Sequence, residues 1–120
     1  SQAMAIELRS LGFNLSCSPC ADIHSNPSNP VINQRAFGVT AEAVSQGALR
    51  CARTLRKEGI LACAKHFPGH GDTGTDSHYS LPVLNRSRDE LYEREFVPFK
   101  ALIDDGIEVT PLPWRERKPN

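Results

Sequence analysis

The segment Gly59–His78, GILACAKHFPGHGDTGTDSH, changes character at Lys65. Before it stands Ile60–Ala64, a continuous apolar run closed off by Gly59. That is the pattern of a short strand buried on both faces of a parallel sheet. From Lys65 to His78 the chain carries three of its four histidines, two aspartates and three glycines. Pro68, Gly69 and Gly71 rule out a regular helix there, so the polar groups lie on a loop leaving the carboxyl end of a strand.

Upstream, Thr40 is a suitable N-cap, and Val44, Ala48, Cys51 and Leu55 recur at helical spacing up to Lys57. Phe13, Leu15 and Cys17 alternate, which predicts a strand over Phe13–Pro19. Met4, Leu8 and Leu11 place a helix before it, ended by Gly12. Between strand and helix, residues 22–38 form a long loop rich in Asn, Ser and Pro. Downstream, Ser87–Glu90 has capping-box spacing. Tyr92, Phe96, Phe99 and Ile103 then share one helical face, with a kink expected at Pro98 and a stop at Gly106. The residues IEVT, 107–110, begin a further strand. Helix and strand alternate throughout, which implies parallel β/α units in a barrel or a doubly wound sheet. In both, functional loops follow the carboxyl ends of strands. The loops after Pro19 and after Ala64 occupy that position.

Composition narrows the function. In 120 residues the formal net charge is zero, so the strongly basic balance of a nucleic-acid binder is lacking. No apolar run approaches the ~20 residues that cross a bilayer, and no membrane segment or signal peptide is expected. CSPC, Cys17 to Cys20, has redox or half-zinc spacing, yet Cys17 falls inside the predicted strand and no second pair follows. Cys51 and Cys63 read as small buried hydrophobes.

Several chemistries compete for the loop. His66 and His70 are four apart, but such pairs converge on a metal reliably only on a helix, so no metal site is expected. The glycines lack the order of a phosphate-binding loop. Asp76 and His78 are two apart and fall on one side of an extended chain. There the carboxylate can fix the imidazole tautomer while the other ring nitrogen serves as acid and base. The plain alternative is a loop salt bridge. Lys65 and His66 end the buried strand and can hydrogen-bond the hydroxyls of a polar ligand, or Lys65 simply reaches the rim. Arg35 offers a planar fork for ligand oxygens, or pins its own loop to Asp22 or another carboxylate.

NPVINQRAFG (29–38), ACAKHFPGHGDTGTDSHYSLP (62–82) and RSRDELYEREFVPFKALIDDGIE (86–108) together resemble glycoside hydrolase family 3. They are most similar to its β-N-acetylglucosaminidase branch, the bacterial β-hexosaminidases of peptidoglycan-derived sugars. The resemblance spans about residues 1–108. It implies an α/β fold, specifically a partial (β/α)8 TIM-type barrel of about two to three β/α units. It also implies retaining hydrolysis of terminal β-N-acetylglucosaminides, with His78 as acid/base assisted by Asp76 and with Arg35, Lys65 and His66 holding the sugar. The implied partner is an N-acetylglucosamine-containing saccharide, with no cofactor, no metal, no nucleic acid and no membrane. Peptidoglycan recycling would place the parent in the cytoplasm, although secreted and lipid-anchored members look alike here. The alternatives are a family 3 N-acetylglucosaminide phosphorylase or β-glucosidase, and, from another class, a small non-catalytic metal- or sugar-binding protein.

A whole barrel needs ~250 residues, and no segment here matches the family's aspartate nucleophile. Asp104 and Asp105 fall at a helix end. The isolated chain is therefore expected to be inactive and poorly stable. Residues 109–120, with three prolines and three basic residues, read as an atypical, disordered tail.

Overall fold

The structure, a computed structural model, describes residues 2–26, 28–29, 32–70 and 86–109. Helix α1 spans Gln2–Ser10. It buries Ala5 fully and packs Leu8 on the core, while Met4 and Leu11 lie at the surface. The inward face is thus shifted by one residue from the face that spacing marked. Gly12 closes the helix at φ 85°, and the Phe13 N–H returns to Leu8 O.

Strand β1 is only Leu15–Ser16, and β2 is Leu61–Ala62. They pair in parallel, Leu15 with Leu61 and Ser16 with Ala62. Further along, Cys20 pairs with Lys65, and Val109 pairs with Cys63 on the other side of β2. The order β1–β2–Val109 is that of successive parallel β/α units. Three residues, 17–19, stand opposite two, 63–64, so the first strand carries one extra residue. Such a bulge breaks the alternation, and for this reason the strand predicted over Phe13–Pro19 is interrupted.

The segment Ile60–Ala64, expected to be buried on both faces, buries one face only. Ala62 and Ala64 face the helices, whereas Leu61 is 42% exposed and Leu15 40%. Cys51 is buried, as expected, but Cys63 is half-buried because it shares the open face.

Helix α2, Ala41–Lys57, lays Val44, Ala48, Cys51, Ala52 and Leu55 into the core. Thr40 Oγ1 accepts from Ala43 N at 3.2 Å and caps it. Thr40→Ala is expected to cost about 1 kcal/mol, read from the shift in denaturant midpoint. The third helical segment has three parts: α3, Arg88–Glu90, a π-helical turn, Leu91–Glu95, and α4, Val97–Asp104. Ser87 and Glu90 form the expected capping box. Pro98 has no N–H to donate, and the chain passes it by a wider turn, with Phe96 N–H bonding Leu91 O. The added residue in that turn rotates α4 relative to α3. Phe99 and Leu102 therefore point inward, while Tyr92 and Ile103 are more than half exposed, which corrects the single apolar face inferred from spacing.

Helix α4 packs on α2 chiefly through Phe99 and Leu102. Arg53 and Arg56 of α2 meet Asp105 and Glu108 just past its end. Asp104 pairs with Lys100 one turn back at 2.6 Å. Among the described residues, no helix is long and apolar enough to cross a membrane.

Candidate active site

The loops after β1 and β2 meet at Asp22. Beyond the bulge, Pro19, Cys20, Ala21 and Asp22 are all buried, with Asp22 wholly so. A carboxylate is an acceptor with about four lone-pair sites, and four donors reach this one. Oδ2 accepts from His66 Nδ1 at 2.6 Å, from His66 N at 3.0 Å and from the Cys20 thiol at 3.2 Å. Oδ1 accepts from His70 N at 2.6 Å.

These contacts set the charge. Burial alone would raise the Asp22 carboxyl, but the His66 and His70 hydrogen bonds outweigh it and hold the group below its ordinary value of 3.8. The native carboxyl thus binds its proton less readily than the unfolded one. Its stabilisation is complete above pH 3.8 and is lost as pH falls through the lower native value. Acid unfolding followed by circular dichroism should therefore show the stability gap between wild type and Asp22→Asn narrowing below that pH. A gap independent of pH would contradict it. The neighbouring Cys20 thiol is pushed up to about 12, by burial first and by the Asp22 charge second.

Arg35 reaches the same cluster from a 3-10 turn, Asn33–Arg35. Its loop is held by side-chain bonds that stand in for a ladder. Asn29 Nδ2 donates to His70 O at 2.6 Å, and Ile32 N–H bonds Asn29 Oδ1 at 2.9 Å. Ile32 itself is fully buried. Arg35 Nη2 lies 3.1 Å from His66 Nε2. It does not bond Asp22, which His66 occupies instead. A guanidinium only donates, so His66 Nε2 is the acceptor and the ring proton sits on Nδ1, facing Asp22.

Lys65 lies next to His66 on the strand face of Leu61 and Cys63, and its backbone bonds Pro19 O and Ala21 N. Its side chain is half-exposed. Arg35 and His66 thus meet at one end of the sheet, where Lys65 is the neighbour of His66 along the chain. Asp76 and His78 lie outside the described residues. At the start of their loop, Gly69 has φ 131°, and a Cβ there would meet Glu95 Cγ at 3.0 Å, so both backbone and space favour glycine.

Two further chemistries were open in the sequence. His66 and His70 rings stand edge to face with centroids 6.0 Å apart. Among the described residues, the group that could offer three donors to a cation is a different one, Cys20, Asp22 and His66, whose ligand atoms lie within 4.8 Å of one another. Here the thiol and the Nδ1 proton are already given to the carboxylate, and a cation would have to displace both. The CSPC cysteines are separated by environment, Cys17 exposed and Cys20 buried. Asp22 was legible only as a partner for Arg35. The signal for its central role is a lone carboxylate inside the apolar run Cys20–Ile23.

The sequence pattern described as "Glycosyl hydrolase family 3 N terminal domain" matches residues 1–111. The chain belongs to glycosyl hydrolase family 3. A relative, the beta-hexosaminidase of Methylococcus capsulatus, is 44% identical over 105 residues, covering 88% of this chain and 31% of its own length. Among solved family 3 structures, a beta-N-acetylglucosaminidase from Paenibacillus sp. str. FPU-7 superposes with a TM-score of 0.88 at 42% identity, over 91% of this chain and 21% of that one. The beta-glucoside phosphorylase BglX superposes with a TM-score of 0.88 at 37% identity, over 91% of this chain and 20% of that one. The chain spans less than a third of the length of the curated relatives it matches, 17% of one and 31% of another. The fold is α/β, in keeping with these neighbours.

Proposed function

We propose that the protein containing this chain is a retaining β-N-acetylglucosaminidase, and that these residues form a partial (β/α)8 barrel carrying its sugar grip and acid/base loop. The observation that carries the reading is the meeting of Arg35 and His66 3.1 Å apart at the strand end that also bears Lys65, on a chain matched to the family over residues 1–111. A guanidinium fork, an ammonium and an imidazole together suit the hydroxyls and amide oxygen of an N-acetylglucosaminyl unit. His78 then protonates the leaving oxygen and later deprotonates water, with Asp76 stabilising the imidazolium. The covalent intermediate requires a carboxylate nucleophile, which is assigned to a segment outside the chain because none here matches it; Asp104 and Asp105, at and just past the end of α4, are held in surface ion pairs. Residues 1–108 are assigned to the barrel piece and 109–120 to a tail of different composition, Val109 being still paired to the sheet.

The test is turnover of an aryl β-N-acetylglucosaminide by the full-length protein, with the anomer of the first product read by NMR. Retained configuration is expected. Turnover of aryl β-glucosides in preference would overturn the sugar assignment, and full turnover by residues 1–120 alone would overturn the placement of the nucleophile.

The fold shared with BglX supports a second reading, transfer to phosphate. A histidine acid/base carries no negative charge to repel that anion. The same assay in phosphate buffer decides it, since sugar 1-phosphate in place of free sugar marks a phosphorylase.

A further inference from the structure

Asp22 touches none of the groups assigned to the sugar except through His66, yet it organises all of that end of the sheet. It receives both the ring and the backbone N–H of His66 and the backbone N–H of His70. It therefore fixes the segment 66–70 at two points four residues apart. Its fourth donor, the Cys20 thiol, comes from its own strand end. It is wholly buried, so no water competes for these bonds.

We propose that Asp22 is the positioning residue of the sugar grip: it holds His66 as the Nδ1–H tautomer, and so leaves Nε2 as the acceptor that aims Arg35. The inference rests on the assignment of Arg35 and His66 to the sugar site. The physical chain is short. A carboxylate can only accept, so the ring nitrogen facing it must carry the proton. The opposite nitrogen then has a lone pair, and a guanidinium, which can only donate, is drawn to it. An asparagine of the same shape breaks this logic. Its oxygen cannot serve the His66 ring and the His70 N–H at once, and its amide N–H facing Nδ1 would favour the Nε2–H tautomer. That proton would meet Arg35, donor against donor. Orientation of a functional imidazole by a buried carboxylate behind it is a general device, and loss of such a partner costs about 10- to 100-fold where it has been measured at metal sites.

The experiment is a kinetic cycle in the full-length protein, with Asp22→Asn, Arg35→Ala and the double variant, on an aryl β-N-acetylglucosaminide. Asp22→Asn is expected to raise KM about 10-fold or more with a smaller change in kcat. In the Arg35→Ala background the same substitution is expected to change KM little, because its route to the substrate is gone. Independent effects that multiply would overturn the proposal, since a merely structural role does not pass through Arg35. If Asp22→Asn does not fold, the wild type still decides it. Nitrogen-15 NMR of the His66 ring is expected to show the proton on Nδ1, and a proton on Nε2 overturns the positioning role alone. No turnover by the wild type would overturn the sugar-site assignment itself, and the positioning role with it.

Discussion

Replacing His78 by alanine in the full-length protein is expected to lower kcat by about 10²- to 10⁴-fold, the usual contribution of a positioned general acid or base. The loss should depend on the leaving group. A methoxyphenyl glycoside leaves as a poor anion and needs its oxygen protonated, so it should suffer most. A dinitrophenyl glycoside leaves unaided, and its formation of the glycosyl-enzyme should be nearly spared. Binding should change little, because the sugar is assigned to Arg35, Lys65 and His66. Asp76→Asn should reproduce part of the loss, since the imidazolium would lose its counter-charge. Pre-steady-state kinetics with the two leaving groups make the check. An equal loss for both would assign His78 to some role other than proton transfer.

The second large effect concerns the core beneath the site. Phe99→Ala is expected to cost about 3–5 kcal/mol of stability, as deletion of a buried phenyl ring does. Phe99 is 3% exposed in the cluster that joins α2, β2 and α4. Its ring meets Phe67 edge to face with centroids 5.4 Å apart, and Phe67 in turn stacks on Phe96 at 5.4 Å. Phe67 sits between His66 and Pro68, so the cavity would open directly under the proposed sugar grip. The denaturant midpoint should fall, and KM should rise in whatever fraction stays folded. A drop below about 1 kcal/mol would show that the surrounding rings collapse to fill the space.

Much of the fold was legible because it rests on local rules. Thr40, Ser87, Gly12, Gly59 and Gly106 mark the element ends, and the three glycines have φ between 77° and 85°. The helical spacing of Val44, Ala48, Cys51 and Leu55 identified the buried face of α2 correctly. What escaped was geometry that adds a residue. The π-helical turn before Pro98 and the bulge before Cys20 both shift register by one, and a shift of one leaves no mark in a pattern of apolar residues. The same limit applied to the site. Arg35, Lys65 and His66 were proposed from the resemblance, and of these the structure brings Arg35 against His66. Asp22 was visible only as an odd charge, since its partners His66 and His70 are 44 to 48 residues away. Asp76 and His78, proposed as the acid/base pair, lie outside the described residues, and that assignment rests on the sequence.

The extra residue opposite Cys63 and Ala64 turns segment length into something selection can act on. Between Ser16 and Asp22 the side chains at several positions are small and replaceable, but their number is not. Removing one residue would slide Ala21 and Asp22 back along the strand, trading the carboxylate for a neighbour that cannot accept a hydrogen bond. Adding one would carry the carboxylate past the histidine it serves. Natural variation here should therefore appear as substitutions at constant spacing, and an engineer grafting this strand onto another scaffold must copy its count of residues before its composition.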